Sequence, residues 1–105
     1  SRVSVQLSPM AVAYGSIWAE ACGRVVVVHV TGVGVKADIN TWTSVRAGTL
    51  PIGYRPATNV TAAMYESPGA SIIQVGTDGA VSIVARDTKI QKGSNIDGTL
   101  TFIAV

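Results

Sequence analysis

A run of valines near the middle of the chain limits the fold more than any other feature. Residues 25–35 read VVVVHVTGVGV, and from residue 25 to residue 30 both alternating faces are apolar except at His29. β-Branched residues favour strands, and helical periodicity is nearly absent from the whole chain. A strand that is apolar on both faces is typical of a sheet that is covered on both sides. We therefore predict an all-β protein in which this strand is buried on both faces, either at the centre of a sandwich or against another subunit.

Seven or eight short strands can be read along the 105 residues. A hairpin is expected where Asp78 and Gly79 supply residues tolerant of positive φ, and a polar loop is expected over 86–98. No linker divides the chain, so we predict one domain, residues 1–105, folded as an antiparallel β-sandwich or jelly-roll-like knob. The first residues, SRVSVQ, lack an initiator Met, and we expect a fragment of a longer chain. The predicted strands cover 3–7, 11–21, 24–39, 41–48, 59–66, 71–75, 80–85 and 99–105.

The composition favours contact with another subunit. Charged residues make up 13% of the chain, against about 25% in typical soluble domains. Low charge with 48% apolar residues indicates apolar surface beyond that needed for a core. The interface is expected on the central strand, at Val26, Val28, His29 and Val30.

Charge and cysteine content exclude several classes of protein. The net charge of +2 is spread along the chain, so no basic stripe suggests binding to nucleic acid. No apolar run reaches the roughly 18 residues of a membrane span, and we expect no membrane insertion. Cys22 is the only cysteine. It cannot form an internal disulfide, and we expect a buried thiol.

Few residues suggest catalysis. His29 is the only histidine and lies in an apolar pattern, which favours a core or interface residue over a ligand. We predict no metal site, no cofactor and no catalytic residue. The one enzymatic alternative is a glycan-active hydrolase that uses Glu20 and Glu66 as a pair of carboxylates.

Binding is better supported than catalysis. Trp18 and Trp42 are each expected in the core, although either could stack on a sugar ring. Arg86, Lys89 and Lys92 fall in one polar loop that could meet a phosphate-bearing polymer. The residues predicted to contact a ligand are Trp42, Gln74, Arg86, Lys89 and Lys92.

Three motifs in series carry a resemblance to a known family. GTLPIGYRP (48–56), VGTDGAVSI (75–83) and the terminal GTLTFIAV (98–105) resemble the C-terminal head domain of phage tail-fibre and receptor-binding proteins. The resemblance implies a homotrimeric β-sandwich knob at the tip of a virion tail, on its extracellular face, joined to an upstream tail-fibre segment. It implies non-catalytic attachment to a host cell-wall saccharide or teichoic-type polymer. The alternative within the same fold is a structural trimerising tip without a receptor site of its own.

The first motif is interpreted as architecture rather than as part of the receptor site. Two prolines fix a crossing between strands, with Tyr54 available to pack and Arg55 available to bind carbonyl oxygens. The residues assigned a structural role are Pro51, Gly53, Tyr54, Arg55, Pro56, Asp78 and Gly79.

The sequence departs from the family at the saccharide site. In lactococcal-phage relatives that site resembles a His-x-Asp pair before the hairpin turn, a Trp after it and a later Arg. Here Ile72 and Gln74 occupy the first two positions, and Ile83 and Val84 the aromatic one. The family site therefore does not carry over, and we expect binding through a polar and cationic surface instead.

Overall fold

The computed structural model of the protein describes residues 2–67, 70–86 and 88–104, with the side chains of residues 66, 67 and 70 left out. These residues form eight strands and no helix, which confirms the all-β prediction. No helix among them could cross a membrane. The strands are β1 (Arg2–Val5), β2 (Val12–Cys22), β3 (Val25–Val35), β4 (Ser44–Thr49), β5 (Val60–Ser67), β6 (Ala70–Val75), β7 (Ala80–Val84) and β8 (Asn95–Ile103).

All eight strands belong to one antiparallel sheet that curls until its edges almost meet. The strand order is β1-β2-β3-β8-β5-β6-β7-β4. Just after β1, Leu7 forms an isolated bridge with Gly48 of β4, and the Ser8 amide donates to the Ala47 carbonyl oxygen at 2.7 Å. The result is a nearly closed, sandwich-like barrel, in which every strand has an inward and an outward face.

The central strand β3 shows how the core is built. Val26 and Val28 are 0% exposed and Val30 is 2% exposed, and all three point inward. Val25 lies on the outward face and is 41% exposed, while His29 is half-buried there. A curled single sheet covers only the inner side of β3 within its own chain, so the predicted burial of β3 at the centre of a sandwich is wrong. Burial of its outward face against another subunit stays a prediction.

This burial also corrects the predicted subunit interface. Val26, Val28 and Val30 bury their side chains in the core of their own chain, so they have no surface left for a second chain. Of the four predicted interface residues, only His29 lies on the outward face.

The crossing from β4 to β5 packs against the hairpin between β6 and β7. The Arg55 Nε donates to the Leu50 carbonyl oxygen at 2.9 Å, and Tyr54 packs against the core. Pro56 is buried and bridges Ala104 near the end of the chain. Gly53 has a φ of 99°, and Pro51 accepts a hydrogen bond from the Tyr54 amide at 3.1 Å. These contacts agree with the architectural interpretation of the motif.

Two further expectations need correction. The predicted polar loop over 86–98 contains Ile90, which is 0% exposed and bridges Ile39, and its last four residues already belong to β8. Cys22 is exposed rather than buried, because it ends β2 at the turn into β3. The sequence Ser-Pro-Gly at 67–69 also predicts a turn, and residues 68 and 69 lie outside the described part of the chain.

Candidate functional site

A polar cleft lies on the outward face where β6 and β7 meet their turn. Its volume is about 420 Å³. We call it the hairpin cleft. It is lined by Ser44, Asn59, Gln74, Gly76, Thr77, Asp78, Ala80 and Ser82.

Strand register brings the polar side chains of the hairpin cleft together. Gln74 of β6 pairs with Ser82 of β7, which in turn pairs with Arg46 of β4. The chain neighbours of Gln74, Ile73 and Val75, are both 0% exposed. Since successive residues of a strand alternate between faces, burial of these neighbours holds Gln74 and Ser82 on the outward side.

The β6–β7 turn forms the end of the cleft and is held by several hydrogen bonds. The Gly79 amide donates to the Gly76 carbonyl oxygen at 2.9 Å, and the Ala80 amide donates to Asp78 Oδ1 at 3.1 Å. From across the cleft, Asn59 Oδ1 accepts from the Thr77 amide at 3.2 Å. Gly79 has a φ of 86°, the positive value expected for this turn. These bonds define the shape of the cleft before any ligand enters.

The charges at the cleft largely cancel. Arg46 Nη2 lies 3.9 Å from Asp78 Oδ2, with both side chains more than half exposed. An exposed pair of this kind contributes about 0–1 kcal/mol to stability. Hydroxyl and amide groups make up most of the remaining polar lining, and such groups suit the hydroxyls of a sugar or polyol. A second cleft of about 340 Å³ adjoins Arg46 and includes Leu7, Pro9 and Thr49.

Trp42 stands out from the surface beyond the start of β4. It is 69% exposed, so the prediction that it belongs to the core is wrong. Its φ is 63°, the only positive value among the described non-glycine residues. That conformation costs about 1–2 kcal/mol for an L-amino acid. The Arg86 guanidinium carbon lies 5.9 Å from the Trp42 ring centroid, within the range of a cation–π contact.

The predicted cationic group is divided into two parts. Arg86 faces Trp42, whereas Lys89 Nζ lies 3.4 Å from Asp38 Oδ2. The Lys92 amide donates to Asp38 Oδ1 at 2.7 Å. This backbone bond first, and the Lys89 side chain second, lower the pKa of the Asp38 carboxyl. Lys89 is therefore engaged in an ion pair within the chain.

A stack of three side chains lies on the outward face of β1, β2 and β3. The Trp18 and His29 rings are 3.8 Å apart at 9°, and the Arg2 guanidinium carbon lies 3.8 Å from the Trp18 centroid. Because β1 and β3 flank β2 on opposite sides, Arg2 and His29 cover opposite faces of the indole. The Trp18 ring therefore has little face left for a sugar.

No arrangement for metal binding or acid–base chemistry stands out in the described part of the chain. It contains no group of three or more His, Cys, Asp or Glu residues that could hold a metal ion. The glutamates of the enzymatic alternative are not brought together. Glu20 of β2 pairs with Val27 of β3, which pairs with Thr101 of β8. The backbone of Glu66 in β5 pairs with Ile96 of β8, five residues from Thr101 along that strand. Five residues along a strand correspond to about 16 Å, and β3 and β8 lie between the two positions.

Sequence reasoning identified part of this surface and missed the rest. Gln74 lies in the hairpin cleft and Arg86 lies beside Trp42, whereas Lys89 and Lys92 surround Asp38. It missed Ser44, Asn59 and Ser82. A signal was present for Ser82. Like Gln74, it is a polar residue between two apolar neighbours in the strand next to the Asp78-Gly79 turn.

Comparison with known proteins yields a structural match without a match in sequence. No protein-family model and no curated protein sequence matches the chain. The fold is similar to the crystal structure of the head domain of the lactococcal phage bIL170, described in terms of a common fold for receptor-binding domains of lactococcal phages. The TM-score is 0.77 at 16% sequence identity, over 100% of this chain and 98% of that chain. The match confirms, at the level of the fold, the resemblance carried by the three sequence motifs.

Proposed function

We propose that this domain is the receptor-binding head of a phage tail protein and attaches the virion to a saccharide or polymer on the host cell surface. The observation that carries the proposal is the structural match over the full length of the chain. The three sequence motifs support it as well, because they resemble the same class of phage protein in the amino-acid sequence alone.

The hairpin cleft is the site that we assign to this attachment. It combines an outward position, a volume of about 420 Å³ and a lining of hydroxyl and amide groups. Saccharides are recognised by such groups because each sugar hydroxyl can donate and accept a hydrogen bond. Gln74 and Ser82 act as the central contacts, since strand register places them side by side. Attachment through these neutral groups requires no chemical step.

We also propose that the domain assembles as a homotrimer, with its outward β3–β8 surface at the subunit contact. Val25 and Ile103 pair directly across these two strands and are 41% and 56% exposed. Two adjacent apolar side chains on an open sheet face favour coverage by a second chain. In the same proposal, an upstream tail-fibre segment joins the domain to the virion, and the domain lies at the tip of the tail.

Binding to intact cells tests the attachment role against its alternatives. Fluorescently labelled domain would be titrated onto a panel of Gram-positive cells and onto the same cells stripped of wall glycopolymers. We expect saturable binding to at least one strain and its loss after stripping. A structural tip module predicts no binding to any strain. Release of soluble sugar from purified walls during incubation would favour the hydrolase alternative instead.

A further inference from the structure

The backbone of Trp42 holds an exposed indole in a conformation that this residue type rarely adopts. A positive φ in a bulky residue is an outlier that points to a functional constraint when surrounding structure enforces it. Trp42 has a φ of 63°, yet its side chain is 69% exposed. The ring thus gains little burial in return for the strained backbone.

Hydrogen bonds from two sides enforce this conformation. The Trp42 amide donates to the Ala85 carbonyl oxygen at 2.9 Å, and the Ala85 amide donates to the Thr43 carbonyl oxygen at 3.0 Å. The Thr43 amide and hydroxyl both donate to the Asn40 carbonyl oxygen. The segment that presents the indole is therefore tied to the end of β7 and does not depend on the ring itself.

The chemistry around the ring combines an apolar face with a positive charge. The Arg86 guanidinium carbon lies 5.9 Å from the ring centroid, and the Arg86 side chain has no carboxylate partner within 4 Å among the described residues. Trp18 offers the opposite case, since Arg2 and His29 cover its two faces at 3.8 Å. Of the two tryptophans, only Trp42 has ring surface available to a ligand.

We infer that Trp42 and Arg86 form a second saccharide subsite, separate from the groups that line the hairpin cleft. The indole stacks on the C–H face of a sugar or polyol unit, and Arg86 binds an anionic substituent, a phosphate or a carboxylate, on the same unit. Trp42 lies two residues before Ser44, which lines the cleft, so one polymer chain can contact both sites. This inference deepens the proposed attachment function and rests on it.

Nuclear magnetic resonance distinguishes this subsite from the rest of the surface. The protein has two tryptophans, so its indole N–H spectrum has two signals, which Trp42→Asn would assign. The probes are a short poly(glycerol phosphate), an oligogalacturonate and a neutral maltooligosaccharide. We expect an anionic probe to shift the Trp42 indole and Arg86 Nε–H signals while the Trp18 signal stays in place.

Comparison of the three probes identifies which anionic group Arg86 binds. A response to poly(glycerol phosphate) alone assigns a phosphate, and a response to oligogalacturonate alone assigns a carboxylate. An equal response to the neutral probe overturns the role of Arg86. A Trp42 signal that no probe moves, or movement of the Trp18 signal instead, overturns the subsite.

Trp42→Asn also tests whether the strained backbone serves binding or folding. Asparagine tolerates positive φ better than tryptophan does, so we expect an unchanged or higher melting temperature together with at least tenfold weaker binding of the responsive probe. A lower melting temperature would show that the indole stabilises the fold and would overturn the inference. Tyr65→Ala is the matched control, since Tyr65 is another aromatic residue, 68% exposed, and its loss should not affect binding.

The outcome is separable from that of the proposed function. Cell binding without movement of the Trp42 signal would retain the attachment role and overturn the subsite. Movement of the Trp42 signal by an anionic probe, without binding to any cell, would support the subsite and contradict the attachment role.

Discussion

The Leu50 amide donates a hydrogen bond to the Gly79 carbonyl oxygen at 2.8 Å, and the two backbones approach so closely that a side chain at Gly79 would not fit. A Cβ atom on Gly79 would lie 2.5 Å from the Leu50 carbonyl oxygen and 2.6 Å from Arg55 Nε. The same carbonyl oxygen accepts the hydrogen bond from Arg55. The crossing motif and the hairpin turn are thus one structural unit, and this unit forms the end of the hairpin cleft.

Gly79→Ala should destabilise the protein strongly. The substitution adds the cost of a positive φ, about 1–2 kcal/mol, to a steric clash with backbone atoms. Gly23→Ala is a matched control, because Gly23 also has a positive φ, at 63°, but a Cβ there meets nothing within 4 Å. We expect urea denaturation to show a clearly larger loss for Gly79→Ala. Equal losses would contradict the close packing of the crossing against the turn.

Local patterns in the sequence predicted the strands but not which surfaces they share. The β-branched runs and the Asp78-Gly79 turn located all eight strands to within a few residues. The start of β8 was missed because Asn95, Asp97 and Gly98 are typical of loops, and there they are drawn into the sheet by pairing with β3 and β5.

The features of the site that were missed depend on contacts between distant parts of the chain. The strain and exposure of Trp42 follow from hydrogen bonds with residues around position 85, which no local pattern indicates. Lys89 is paired because Asp38, about fifty residues earlier, lies beside it. Gln74 could be identified, since its position in an alternating strand next to a turn is a local feature.

Asp38→Asn should reduce stability at neutral pH and have no effect in strong acid. The Lys92 amide and the Lys89 side chain lower the pKa of Asp38 below its ordinary value of 3.8. A group with a lowered pKa in the folded state contributes stability above its unfolded pKa, and this contribution is lost as the pH falls through the folded pKa. Asparagine keeps an oxygen acceptor for the Lys92 amide, so the substitution mainly removes the charge.

Urea denaturation from pH 7 down to pH 2 would measure this effect. We expect the free energies of unfolding of the two proteins to differ most above about pH 4 and to converge below it. A difference that stays constant over the whole range would exclude the charge of Asp38 as its cause.

Substitutions on the two faces of β3 should separate folding from assembly. Val28→Asp places an unpaired charge in the core, where Val28 is 0% exposed, and should unfold the chain. Val25→Asp lies on the outward face and should leave the monomer folded but dissociate the proposed trimer. Ile52→Asp is the control, since Ile52 is 86% exposed and lies in the crossing.

Sedimentation velocity at micromolar concentration is the measurement for assembly. The wild type and Ile52→Asp should sediment as trimers, and Val25→Asp should sediment as a monomer. Circular dichroism should show that the Val25→Asp monomer is folded. A monomeric wild type would contradict the homotrimer, and a trimeric Val25→Asp would place the contact on another surface.

Attachment through the hairpin cleft can be tested by measuring the affinity of the domain for cell-wall polysaccharide. The measurement uses polysaccharide from strains across the panel and compares the wild type with Gln74→Leu. Leucine fills a similar volume but cannot hydrogen-bond to a sugar hydroxyl, and Gln91→Leu provides the matched control at an exposed glutamine. We predict wild-type binding to polysaccharide from at least one strain. For Gln74→Leu we predict at least about tenfold weaker binding, or about 1.4 kcal/mol, at an unchanged melting temperature. A wild type that binds no polysaccharide, or a Gln74→Leu variant that binds as tightly as the wild type, would contradict attachment through the hairpin cleft.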